Sequence, residues 1–166
     1  MKKIVIVLIS ILLLILQVSI TPYFKIGWIN YNLVLTSVIL VTLLYDRNLA
    51  LVNALICGFL YDIVASRYLG VYTALFLLTV VVVTLISKMM YKKMVLSAVL
   101  ITFVMTVVTE LAVYWMFYVL GGAENNTFVL SKIILPQALV NSGVSVVLFF
   151  LYYFLYRKLD FKEDRW

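Results

Sequence analysis

Histidine does not occur in this chain, and Cys57 is its only cysteine. Those two absences exclude a disulfide within the chain, histidine-based acid–base chemistry and Cys/His zinc sites. Proline occurs twice, at Pro22 and Pro136, so long helices can run uninterrupted. Charge is scarcer still. Only 12% of the 166 residues are charged, against about 25% in an ordinary soluble domain. No glycine-rich phosphate loop ending in Gly-Lys-Ser/Thr and no nucleophile elbow is present. Catalysis and a bound cofactor are therefore not expected.

What the chain has instead is hydrocarbon. Hydrophobic residues make up 66% of it, and the mean hydropathy is +1.18. So little polar surface cannot cover a globule, and lipid becomes the natural solvent. A bilayer core about 30 Å thick needs roughly 17–25 helical residues per crossing. The apolar runs divide on that scale into six expected spans over 4–20, 29–45, 49–65, 70–87, 94–120 and 133–156. The fifth is long enough that it must tilt or bury part of itself. Lys2-Lys3 ahead of an apolar run fits a signal peptide, but no small-residue cleavage site follows, so the first span is expected to be retained. The expected fold is an all-α polytopic membrane bundle forming one domain over 1–166.

The net charge of +6 does not point to nucleic acid, because the basic residues sit at the ends of apolar runs. With the N-terminus inside, the inner segments hold Lys2, Lys3, Arg47, Lys88, Lys92, Lys93, Arg157, Lys158, Lys162 and Arg165. The outer segments hold only Lys25, Arg67 and Lys132. The positive-inside rule then puts both termini in the cytoplasm of a multi-pass protein. Tyr23, Trp28, Tyr31, Tyr68, Tyr72, Tyr114, Trp115, Tyr118, Tyr152, Tyr153 and Tyr156 fall near span ends, where aromatic rings anchor at the interface.

Two acids interrupt the hydrocarbon. An acid at the centre of a span costs about 2.5–3.5 kcal/mol on insertion scales. Asp62 lies one helical turn after Gly58, so the pair shares a face. A glycine there lets a neighbouring helix approach, and the acid can bond that neighbour. Capping a neighbouring helix, or pairing with Arg67, is the simpler reading; binding a substrate or partner is the alternative. Glu110 lies about 15 Å deep and Asn141 about 13–14 Å deep in the next antiparallel helix, which suggests a hydrogen bond between them. Pro136 falls in the first turn of the last span, where it is tolerated. Gln137 and Asn141, four apart, share a face directed into the bundle. Met89, Met90 and Met94 read as flexible packing and Cys57 as a small buried hydrophobe.

The segment Gly58-Phe59-Leu60-Tyr61-Asp62 with Leu69-Gly70, and Leu135-Pro136 with Asn141, resemble motifs of the rod-shape-determining membrane proteins called MreD. Size, six spans and short loops agree from end to end. Many members carry a second glycine just before the acid, where this chain has Leu60-Tyr61. The resemblance implies a non-enzymatic scaffold of the bacterial cell-wall elongation machinery in the cytoplasmic membrane. It also implies MreC as partner, with MreB and the wall-synthesising glycosyltransferase and transpeptidase engaged indirectly. Gly58, Phe59, Asp62 and Gly70 become candidates for helix packing or partner binding, and Glu110, Pro136, Gln137 and Asn141 are intramembrane polar candidates. The implied fold is similar to the S components of energy-coupling-factor transporters, which supplies an alternative function in vitamin uptake. S components use an Ala-x-x-x-Ala-like surface in the first helix. Ile4 to Ile20 contains neither alanine nor glycine, and the scaffold reading is preferred.

Overall fold

The structure is a computed structural model, and it describes residues 2–20, 31–65, 69–87, 94–119 and 130–158. Every regular element among them is helical: α1 (Lys2–Ile20), α2 (Leu33–Leu44), α3 (Arg47–Ala65), α4 (Val71–Ile86), α5 (Val95–Val119) and α6 (Leu135–Lys158). A π-helical turn, Leu130–Ile134, leads into α6. A proline displaces the carbonyl four residues before it, and Pro136 follows directly on this wide turn.

Among the described residues, three stretches are long and apolar enough to cross a membrane: Arg47–Val64, Val95–Met116 and Lys132–Lys158. Lys3–Ser19, Leu33–Leu44 and Val71–Ile86 are shorter apolar helices. The second differs most from its expected span of 29–45. It starts only after Asn32, whose side chain accepts the Leu35 N–H at 2.9 Å and so fixes the helix start. Residues 29 and 30 lie outside the described residues.

This short helix is the centre of the bundle. α2 packs against each of the other five helices, and all its residues from Val34 to Leu44 are buried. α3 and α4 form one antiparallel pair, and α5 and α6 form another. Contacts from Asn32 to Asn141 and from Tyr45 to Tyr152 run α2 parallel to α6, whereas Ser10–Ser37 and Gln17–Val34 run α1 antiparallel to α2. Directions therefore alternate along the chain. The starts of α1, α3 and α5 lie at one end of the bundle, here the basal end, with the ends of α2, α4 and α6.

Several hydroxyls inside this apolar core are satisfied by their own helix. Thr36, Thr42, Thr79, Thr84, Thr106 and Ser142 each donate to the carbonyl four residues back, at 2.7–2.9 Å. Large hydrophobics point outward instead, including Leu55, Phe59, Leu78, Leu100, Val147 and Phe150, each at least half exposed. In a bilayer these faces meet lipid.

Candidate functional site: a capped helix hairpin and the polar layer beside it

Gly58 and Asp62 occupy the face of α3 that meets the first turn of α4. A Cβ placed on Gly58 would lie 2.7 Å from the Thr73 Cα and 3.2 Å from its nitrogen. Only glycine admits α4 this close. The approach brings Asp62, which is 1% exposed, onto the start of α4. Its Oδ2 accepts from the Gly70 N–H at 3.0 Å, the Thr73 N–H at 2.9 Å and the Thr73 hydroxyl at 2.6 Å. Its Oδ1 accepts from the Tyr72 N–H at 2.9 Å.

The carboxylate thus supplies from a different helix what an N-cap side chain ordinarily supplies locally. Gly70, at the N-cap position, has no side chain to do so and adopts φ +93°, the left-handed region that favours glycine. Three backbone donors without helical partners are satisfied, and the positive end of the α4 dipole faces the acid. Of the two simpler readings of Asp62, the geometry is that of capping. Arg67 lies outside the described residues. Phe59, between Gly58 and Asp62 in sequence, points away and is 54% exposed.

A polar layer continues from this cap across the same end of the bundle. Tyr61 and Tyr72 pack edge to face with centroids 4.7 Å apart. Gln17 Nε2 donates to the Tyr61 hydroxyl at 3.1 Å, and its Oε1 accepts the Val34 N–H at 3.1 Å, which ties α1 to α3 and to the start of α2. Tyr61 and Tyr72 both lie within electrostatic reach of the Glu110 carboxyl. Pro136 is half-buried, whereas Gln137 and Asn141 are buried inside the bundle.

The expected Glu110–Asn141 bond is not formed. Gln137 Nε2 donates to Glu110 Oε1 at 2.7 Å. Asn141 instead accepts the Asn32 N–H at 2.8 Å and approaches Thr106 Oγ1 at 3.4 Å. The physical reason is a register offset of one helical turn. Gln137 precedes Asn141 by four residues and Glu110 follows Thr106 by four, so both levels shift together. Counting depth from the loop ends took the end of α5 and the start of α6 to be level, and these contacts offset the two helices by one turn.

A second network, unmarked by any motif, lies towards the basal end. The hydroxyls of Ser10, Ser37 and Tyr152 form a closed triangle with sides of 2.9, 2.9 and 2.6 Å. The Tyr45 hydroxyl donates to the Tyr152 carbonyl at 2.7 Å. Tyr152 is fully buried and Tyr156 nearly so, which corrects their reading as interface anchors. The missed signal was in α1. Ser10 and Gln17 are seven apart on one helical face, and both are buried.

Described residues that are helical throughout their regular elements, with long apolar helices, outward hydrophobic faces and an acid consumed in an interhelical cap, define a helical membrane protein. Residues 1–159 match the family described as rod shape-determining protein MreD, and the chain belongs to that family. Its members are shape-determining structural proteins, with a role in rod shape determination. No curated protein and no solved structure matches the chain.

Proposed function

We propose that this protein is a non-enzymatic scaffold of the cell-wall elongation machinery, crossing the bacterial cytoplasmic membrane six times with both termini in the cytoplasm. In this reading it holds MreC within the membrane, and MreB and the wall synthases are joined to it indirectly. The family match over residues 1–159 carries the reading. The use of Asp62 supports it, because all four of its bonds go to α4 and shape the bundle itself. Gly58 and Asp62 then act by setting the α3–α4 hairpin rather than by touching a partner. The partner surface is the outer stripe of α3, where Leu55, Phe59 and Ile63 lie on one face and are each more than half exposed. Close packing against such a face is what drives helix association in lipid.

Depletion from a rod-shaped host tests the reading directly. Cells should widen and round, and wild-type protein should restore them. At equal membrane abundance, Gly58→Leu should complement worse than Phe150→Ala, and Phe59→Ala should reduce recovery of MreC. Depleted cells that keep their shape but lose uptake of one vitamin would replace the scaffold by the S-component reading.

A further inference from the structure

α1 and α3 run parallel and are joined by the Gln17–Tyr61 bond at the far end of the bundle. At the basal end they part and leave a cavity of about 410 Å³ between them. Its walls are Ile4 and Val7 of α1 and Val52 and Ile56 of α3, with Lys3 and Asn48 at its mouth. The volume is in the range of about 300–1,000 Å³ typical of small-ligand sites. Ile4 and Val52 are more than half exposed, so the cavity opens sideways to the membrane.

Its polarity is graded along the helix axes. Lys3 and Asn48 belong to the first turns of their helices, whereas Val52 and Ile56 lie one and two turns deeper. From Asn48 to Ile56 the cavity runs about 12 Å, at about 1.5 Å per residue. That is close to one leaflet of a hydrocarbon core about 30 Å thick. A crossing helix needs a groove along the full thickness, which this cavity does not provide. A single acyl chain entering from one leaflet fits it.

The mouth selects the head group. Asp46 is the one acid among the described residues at this end, where Lys3, Arg47, Arg157 and Lys158 are all exposed. We propose that the α1–α3 groove is a binding site for an anionic phospholipid. One acyl chain lies between Ile4, Val7, Val52 and Ile56, the Lys3 ammonium pairs with the phosphate, and the Asn48 amide donates a hydrogen bond to a head-group oxygen. The site depends on the protein being in a membrane and not on the scaffold reading, so the two fail separately.

Native mass spectrometry of the purified full-length protein, titrated with dioleoyl phosphatidylglycerol or dioleoyl phosphatidylcholine, tests it. Phosphatidylglycerol should be retained more tightly than phosphatidylcholine by the wild type. Lys3→Gln should weaken phosphatidylglycerol by about fivefold, the effect of one basic residue at an anionic surface, and leave phosphatidylcholine unchanged. Val52→Trp, which fills the groove from an exposed position, should weaken both lipids. Phe150→Trp, on exposed α6 surface, should weaken neither and serves as the folding control. Equal retention of the two lipids by the wild type, or a Val52→Trp variant that binds as the wild type does, overturns the proposal. Efficient disulfide crosslinking between copies carrying Val52→Cys in a Cys57→Ser background also overturns it, because a second copy would then occupy the groove.

Discussion

Replacing Gly58 with alanine puts one carbon atom 2.7 Å from the Thr73 Cα, where the favourable separation between carbon atoms is about 3.5–4.0 Å. The obstacle is backbone, not the end of a flexible side chain, so α3 and α4 must part by roughly 1 Å. The three N–H bonds to Asp62 are 2.9–3.0 Å long and would stretch beyond the usual limit of about 3.2 Å. The chain can keep the cap and bear the overpacking, at about 1–3 kcal/mol, or relax and lose the cap, at about 0.5–2 kcal/mol. Either route predicts a destabilisation of about 2 kcal/mol, and for a chain of this size a melting temperature lower by roughly 4–8 °C. Thermal unfolding in detergent measures it. Combining Gly58→Ala with Asp62→Asn then asks whether the two residues act through the same hairpin. The double variant should lose less than the sum of the single losses, because a parted hairpin has already given up part of the cap. Wild-type melting of Gly58→Ala, or strictly additive losses, would refute this account of the pair.

Three further outcomes follow from the same geometry. Asp62→Asn should melt below wild type yet above Asp62→Leu: an amide keeps one accepting oxygen for the α4 donors, whereas leucine leaves buried donors unsatisfied at about 1–3 kcal/mol each. Glu110→Gln should stay folded, and a double-mutant cycle should couple Glu110 to Gln137 by about 0.6–2 kcal/mol while Glu110 and Asn141 add independently; the reverse pattern would restore the partner first expected. For topology, single cysteines replacing Lys25, Arg67 or Asn126 in a Cys57→Ser background should react with an impermeant reagent outside intact cells, and those replacing Lys92 or Lys162 should not; external labelling of the latter would overturn the orientation.

How far the residues alone could be read depended on where each contact's information lies. Gly58 and Asp62 were legible because a turn-spaced glycine and an expensive acid constrain one another within five residues of chain. Which helix they meet was open, since the answer is in the fold. Glu110 was recognised as needing a partner, but depth counting missed that partner by one turn. Hydropathy could not separate α2 from the helices around it, because a valine buried in protein and a valine facing lipid are equally apolar. Tyr152 misled for a related reason. A tyrosine near a helix end suits the interface, and nothing local reveals two serine hydroxyls from helices more than a hundred residues away.

The sheathing of α2 by five other helices sets a problem of timing during synthesis. The Ser37 and Tyr152 hydroxyls bond across 115 residues, and the Asn32 N–H meets Asn141 across 109. At about 5–20 residues per second, Ser37 waits roughly 6–23 s after its own synthesis before its partner exists. Through that interval the face of α2 that will meet α6 is an outer surface, turned towards lipid or the insertion machinery. A chain that stops before α6 never closes that surface. It should be unstable in the membrane and should persist longer in cells lacking membrane proteases, even though its first five helices are intact.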